Sequence, residues 1–493
     1  MPKELEIYNS LSRKKEVFKA IDPPFLGLYV CGPTVYGEPH LGHARSAVTF
    51  DIVYRYLKYL GYKVRYVRNI TDVGHLENDS DDGEDKIAKK ARLEKIEPME
   101  VVQFYTIKYH ESMDALNIER PNIEPSASGH IMEQIEQVQK ILDNGYAYEV
   151  NGSVYFDVSK YAEDYPYGKL SGKKLEDLQA GSRTLDAQDE KQAPEDFALW
   201  KKANPEHIMK WKSPWSLGFP GWHMECTSMS TKYLGETFDI HGGGMDLQFP
   251  HHEAEIAQSN SACGKPPCNY WMHNNMLTIN GKKMGKSLGN FINLEELFNG
   301  THKLLEQAYH PMTVRFFMLQ AHYRSTLDFS NEALQAAEKG LKRLMQAHHL
   351  LMKLETGNEK DAGTEDKNVL EALEQAEAHL ADDFNTAQCI ARLFDITPVI
   401  NKLSERKLQL AKSTIETLQK KFDALVSDVL GLKPMERGNE EVVEGLMNLL
   451  IDIRKEARFK KDFATSDKIR DDLAKVNIQL KDSKEGTSWE ITD

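Results

Sequence analysis

Cysteine is scarce in this chain. Five thiols in 493 residues, at positions 31, 226, 263, 268 and 389, are too few and too scattered for a disulfide scaffold. They suit a reducing cytosol. Long apolar runs are missing too, and no stretch has the length needed to cross a membrane. Met1 to Lys15 alternates charged and polar residues and lacks the apolar core of a signal peptide. There is no cationic excess either. The formal net charge of −14 argues against indiscriminate binding to nucleic acid, though a local basic face for one RNA stays open. Internal repeats are absent. What remains is an ordinary globular composition, 40% hydrophobic and 28% charged, with length for about two to four domains.

The chain opens in an α/β pattern. Phe25-Leu26-Gly27-Leu28-Tyr29-Val30-Cys31 reads as a buried parallel strand. A helix follows from Leu41 to Leu60, its apolar face carried by Ala44, Val48, Ile52, Tyr56 and Tyr59. Lys63 to Ile70 reads as the next strand. Glu77 to Asp85 is acidic and polar, the composition of a solvated loop. Lys86 to Leu142 is mostly helical, and Gly145 to Gly181 mixes short strands with turns. The α/β pattern resumes near Gly218, with Phe238 to His241 as a short buried strand. Residues 330–430 carry long amphipathic helices, Lys433 to Glu441 reads as a linker, and 442–493 ends in helices and a small strand-and-turn piece.

Four segments carry chemistry. His40-Leu41-Gly42-His43 begins the first helix, where unpaired N–H groups and the helix dipole favour phosphate. Two imidazoles there can donate hydrogen bonds to a phosphate in its transition state. Alone, the tetrapeptide is as readily an ordinary helix start. Lys282-Lys283-Met284-Gly285-Lys286-Ser287 follows a strand and turn; its lysines can clamp a polyphosphate, although such loops are usually solvated hairpin tips. His251-His252-Glu253-Ala254-Glu255 begins a helix after Pro250. His251 and Glu255 share a helix face, and His252 and Glu255 do as well, so spacing leaves both pairs open. With Cys31 and Cys226 they offer the mixed donors that tetrahedral zinc takes. Cys263 and Cys268 lack a partner pair and read as loop thiols. Finally, Gly242-Gly243-Gly244 after a strand lets backbone lie against a flat ligand, with Asp246 placed to accept from hydroxyl or amino groups.

Together these segments resemble the class I aminoacyl-tRNA synthetases. HLGH and KMGKS stand for the two signature sequences of that class. YVCGPTVYGEPHLGHAR, GWHMEC, FDIHGGGMDLQFPHHEAEIAQS and YWMHNNM narrow the likeness to the cysteinyl-tRNA synthetase family, over residues 5–493. The resemblance implies an α/β fold: a Rossmann-like class I catalytic domain with an insertion, then an α-helical bundle and a small C-terminal anticodon-binding domain. Expected boundaries are 1–95 and 218–330 for the two catalytic halves, 96–217 for the inserted connective domain, 331–432 for the bundle and 440–493 for the anticodon domain. It implies one zinc per chain on Cys31, Cys226, His251 and Glu255, which chooses His251 over His252. It implies catalytic roles for His40, His43, Lys283 and Lys286, and ATP binding by His40, His43, Gly243, Asp246 and Lys286. The substrate pocket falls to Gly32, Thr34, Thr71, Trp222 and His223. Arg458, Asp467 and Asp482 match anticodon-reading positions. Two departures stand out: Leu41 replaces a frequent isoleucine, a volume-conserving change, and Gly285 replaces the usual serine of the second signature.

The implied reaction is that of a cysteine–tRNA ligase. The carboxylate of L-cysteine attacks the α-phosphate of ATP, accompanied by Mg2+, and the acyl group then passes to tRNA(Cys). A zinc–thiolate bond separates cysteine from serine, so no editing domain is needed. A cytoplasmic monomer is expected. Two other readings compete. A related ligase of mycothiol synthesis would need no anticodon-binding end, yet this chain carries Arg454, Lys455, Arg458, Lys460, Lys461, Lys468 and Arg470 in one helical region. A catalytically silent tRNA-binding relative would not need intact His40, His43 and Lys286.

Overall fold

The apolar run ahead of Cys31 does form a strand, β1 (Phe25–Val30), with Leu26, Leu28, Tyr29 and Val30 all buried. Helix α1 (Leu41–Tyr59) leads to β2 (Lys63–Arg68), which pairs in parallel with β1. Much later come α2 (Trp222–Leu234), β3 (Phe238–Gly244), α3 (His251–Cys263) and β4 (Cys268–Asn274). The four strands make one parallel sheet in the order β4-β3-β1-β2. In such sheets ligands gather at the carboxyl ends of the strands. Cys31, the glycine run and Thr71 all lie there.

The structure is a computed structural model that describes residues 4–76, 84–176, 190–205, 207–285, 288–355, 362–435, 439–476, 478–482 and 487–491. Two units divide the chain, Met1–Lys433 and Pro434–Asp493. In the first, the segment between β2 and α2 holds helices Lys86–Glu94, Pro98–Ala115 and Ile131–Asp143 and a five-stranded antiparallel sheet. The strand-and-turn region contains a further short helix, Val158–Asp164, N-capped by Asp157. Helices Asn331–Met352, Thr364–Ala381, Thr386–Ser404 and Lys412–Asp423 form the bundle. In the second unit, helices Asn439–Phe459 and Phe463–Ala474 precede a hairpin of Ile478–Asp482 and Thr487–Ile491. No helix among the described residues is long and apolar enough to cross a membrane.

Three expectations change. Helix α1 buries nearly its whole circumference, including Arg45, Asp51 and Arg55, where the sequence pattern marked one apolar face. Asp51 accepts from Arg55 at 2.8 Å and from Arg315 at 2.5 Å, so the polar face is covered by an ion cluster. Asp85 is not part of a solvated loop: it is 1% exposed, caps helix Lys86–Glu94 and accepts from the Gly74 N–H at 2.9 Å. Residues 77–83 lie outside the described set. Cys268 is a buried strand residue of β4 where a loop thiol was expected, and Cys263 ends α3.

Candidate active site and metal centre

Cys31 follows β1, its N–H held by the Gly242 carbonyl at 3.1 Å. Cys226 lies in α2, and His251 and Glu255 lie one turn apart in α3. Their donor atoms converge within 4.8 Å of one another. The Cys31 and Cys226 sulfurs are 3.6 Å apart, and His251 Nε2 is 3.4 Å from Cys226 Sγ. Glu255 Oε1 is 3.7 Å from Cys31 Sγ and 3.3 Å from His251 Nε2. A tetrahedron with bonds of about 2.3 Å to sulfur and 2.0 Å to nitrogen or oxygen has edges of roughly 3.8 Å (S–S), 3.5 Å (S–N or S–O) and 3.3 Å (N–O). The four donors therefore already sit near the edges of a zinc tetrahedron.

A second set, Cys31, His241, His252 and Glu255, is equally compact. Its distances fit worse. His241 Nε2 is at hydrogen-bond length from Glu255 Oε2, 2.8 Å, while His252 Nε2 is 3.9 Å from Glu255 Oε1. His252 was weighed in the sequence as an alternative ligand, whereas His241 escaped the sequence reading as a neighbour of the quartet. His241 orients Glu255, and His252 passes a hydrogen bond through His273 to Ser10. Burial pushes the Cys31 thiol up to about 12, and raises Cys226 as well. A bare pair of desolvated thiolates beside a carboxylate is costly, and a dication would offset that cost. The Tyr29 hydroxyl and His241 Nδ1 are buried here without a hydrogen-bond partner among the described residues.

The helix signature is built on its own two rings. His40 is the N-cap of α1: its Nδ1 accepts from the Gly42 N–H at 3.1 Å, and His43 Nδ1 accepts from the His40 N–H at 3.3 Å. The rings stack with centroids 3.8 Å apart. A Cβ at Gly42 would fall 2.9 Å from the His40 ring and 3.8 Å from Met284 of the lysine loop, so glycine keeps both within reach. Desolvation lowers His43 to about 4, leaving it neutral at neutral pH. Leu41 is fully buried. Lys283 ends the strand Lys282–Lys283, its side chain exposed and its carbonyl accepting from Asn290 at 3.1 Å. Asn290 Oδ1 accepts from the Gly285 N–H at 2.9 Å. Lys286 lies outside the described residues.

Of the remaining positions expected to line a pocket, Trp222 and His223 lie against the quartet's His251. A Cβ at Gly32 would sit 1.6 Å from the Asn69 carbonyl oxygen, so only glycine lets β1 and β2 end in contact. Thr34 and Thr71 form a parallel bridge. Thr71 donates to Glu225 Oε1 at 2.5 Å. Trp222 packs over His251 with ring centroids 4.5 Å apart, and His223 Nδ1 is 2.9 Å from His251 Nδ1. Gly243 leaves room for His252 and Leu247, and Asp246 is exposed just beyond the sheet edge. The three positions matched to anticodon reading lie in the second unit. Arg458 is exposed near the end of its helix, Asp467 pairs with Arg470 at 3.3 Å, and Asp482 stands opposite Thr487 in the hairpin. The basic stripe loses a member, since Arg454 is only 5% exposed.

Known proteins share this architecture. The family model described as tRNA synthetases class I (C) catalytic domain matches residues 17–339, and that of the DALR domain matches 375–433. A cysteine–tRNA ligase of Bacteroides thetaiotaomicron is 59% identical over 495 residues, covering 100% of both chains. Another from Porphyromonas gingivalis is 58% identical over 494 residues with the same coverage. One from Chlorobaculum tepidum is 50% identical over 98% of each chain. Among solved structures, Mycobacterium tuberculosis methionyl-tRNA synthetase in complex with methionyl-adenylate superposes with a TM-score of 0.58 at 13% identity, over 85% of this chain and 96% of that one. A Campylobacter jejuni putative arginyl-tRNA synthetase does so with a TM-score of 0.52 at 14% identity, over 84% and 94%. These two likenesses speak for the fold alone.

Proposed function

The chain belongs to the cysteine–tRNA ligase family of class I aminoacyl-tRNA synthetases, and from that membership we propose how its residues divide the work. The ligase joins L-cysteine to tRNA(Cys) by way of cysteinyl-adenylate, consuming ATP. Cys31, Cys226, His251 and Glu255 hold one zinc; the carrying observation is that their donor distances match tetrahedral edges. Bound there, zinc supplies a soft acid that prefers the cysteine thiolate to the serine hydroxyl. Ten-thousandfold discrimination corresponds to about 5.5 kcal/mol, more than the shape of a pocket gives for so small a difference.

The chain's own groups do the rest. Gly32, Thr34, Thr71, Trp222 and His223 wall the amino-acid pocket beside the quartet. Gly243 lets the nucleotide approach the sheet edge, and Asp246 accepts from its hydroxyl or amino groups. The N-terminus of α1 faces the phosphates, with His40 and His43 as hydrogen-bond donors to the charge that develops. Lys283 and Lys286 bring cations to pyrophosphate, and Mg2+ enters with ATP. Arg458, Asp467 and Asp482 read the anticodon. The 96–217 segment serves as the connective insertion, and the protein acts as a cytoplasmic monomer.

Intact signature residues speak against a silent relative, and helices followed by a hairpin after Pro434 speak against a ligase without tRNA. The test is cysteine-dependent pyrophosphate exchange, then tRNA charging, with zinc measured by elemental analysis. One zinc per chain and charging of tRNA(Cys) are expected. Exchange without charging would favour the mycothiol-type reading, and a zinc-free active enzyme would remove the metal from it.

A further inference from the structure

One side chain at this site belongs to none of the motifs. His75 is 8% exposed and touches two of the pocket positions at once. Its Nδ1 is 2.6 Å from Thr34 Oγ1. Its ring lies flat on the Trp222 indole, with centroids 4.0 Å apart and planes 8° apart. On Trp222's other contacts, the His251 ring is 4.5 Å away. The backbone around His75 is pinned: Gly74 N–H donates to Asp85 at 2.9 Å, Lys86 N–H donates to the His75 carbonyl at 3.0 Å, and Leu76 bridges Asp85.

The hydrogen bonding selects the tautomer. His75 Nε2 is 2.7 Å from Lys86 Nζ. An ammonium has donors only, so Nε2 accepts and the ring hydrogen sits on Nδ1. Nδ1–H then donates to Thr34 Oγ1, and the Thr34 hydroxyl hydrogen is turned away from His75. A hydroxyl in that state donates to whichever anionic oxygen is brought beside it. Thr71, across the bridge, is already committed: it donates to Glu225 and accepts from Asn69 Nδ2 at 3.1 Å.

We propose that His75 is a positioning residue for the amino-acid substrate, turning Thr34 into a hydrogen-bond donor for the carboxylate while its ring backs Trp222 against the metal quartet. Lys86 sets its tautomer. This rests on the reading of Thr34 and Trp222 as pocket walls.

The experiment is pyrophosphate exchange on the full chain, with cysteine and ATP varied separately. His75→Phe keeps a plate against Trp222 and removes both nitrogens. It should raise the cysteine KM roughly tenfold, the scale of a hydrogen bond to a charged group, with the ATP KM unchanged. Thr34→Val should do the same, and the double variant should be no worse than Thr34→Val alone. Lys86→Met leaves the stack in place and should shift the cysteine KM in the same direction by a smaller factor. Multiplicative effects in the double variant, or an equal rise in the ATP KM, would reduce His75 to structural support and overturn the proposal. If Thr34→Val leaves the cysteine KM unchanged, the pocket reading itself fails. If Thr34→Val raises it but neither His75→Phe nor Lys86→Met does, only the relay fails.

Discussion

Gly242 lies against a phenyl ring. A Cβ there would stand 2.1 Å from Phe50, a buried residue of α1. Gly242→Ala should therefore cost about 1–3 kcal/mol through overpacking, read as a lower urea midpoint, and Phe50→Leu should recover part of it. Cys226→Ser removes one sulfur from the quartet. Zinc content should fall, and the cysteine KM should rise more than the ATP KM; full zinc by elemental analysis would sink the assignment. Lys286→Ala, argued from the sequence, should slow adenylate formation by orders of magnitude with little change in cysteine affinity. Buried histidines make a pH prediction. Burial lowers His273 to about 3, against about 6.5 in the unfolded chain. The unfolded state thus binds more protons between these values. This stability is fully present above about pH 6.5 and is lost as pH falls toward 3. Melting temperature should drop on acidification, and less steeply in His273→Gln.

Helix α1 shows how far a sequence reads. Its start, its length and its apolar positions were legible, because N-cap geometry and spacing are local. Its buried polar residues were not, since their partners come from far along the chain. Asp51 meets Arg315 of helix Pro311–Leu319, whose guanidinium also donates to the Leu430 and Leu116 carbonyls at 2.8 and 3.0 Å. The same limit applied to the site. HLGH and the lysine loop are contiguous and could be found in the string. The quartet needed a family likeness to choose His251 over His252, and the donor distances now give a physical ground for that choice. His75 was invisible, because its stack on Trp222 spans two distant segments. The ion cluster also predicts its own fragility. Arg315→Met leaves Asp51 buried with one partner fewer and should cost about 3–5 kcal/mol in urea unfolding.

At the scale of the molecule, the residues proposed for adenylation fall within the first unit's bounds and the proposed anticodon positions within the second's. A chain ending at Lys433 should keep cysteine-dependent pyrophosphate exchange and lose efficient, anticodon-dependent tRNA charging. Unchanged charging would remove the second unit from recognition. Another feature of the first unit bears on how the protein comes into being. Asp383 is fully buried, adopts a positive φ of 60°, and accepts from the Tyr8 N–H, from Tyr323 and from Arg324 at 2.9, 2.7 and 2.7 Å. Two residues beyond Tyr8, Ser10 is 2.8 Å from His273, which in turn supports His252. A ribosome makes the chain from its amino end. Asn9 and Ser10 bond Asn269 and Trp271, but Tyr8 emerges early and waits for Asp383, so the last tether on the segment that props the histidines behind the candidate metal site is added only after more than three quarters of the polypeptide has been synthesised. Nascent chains halted before that point should bind zinc loosely, and those halted after it should hold zinc tightly.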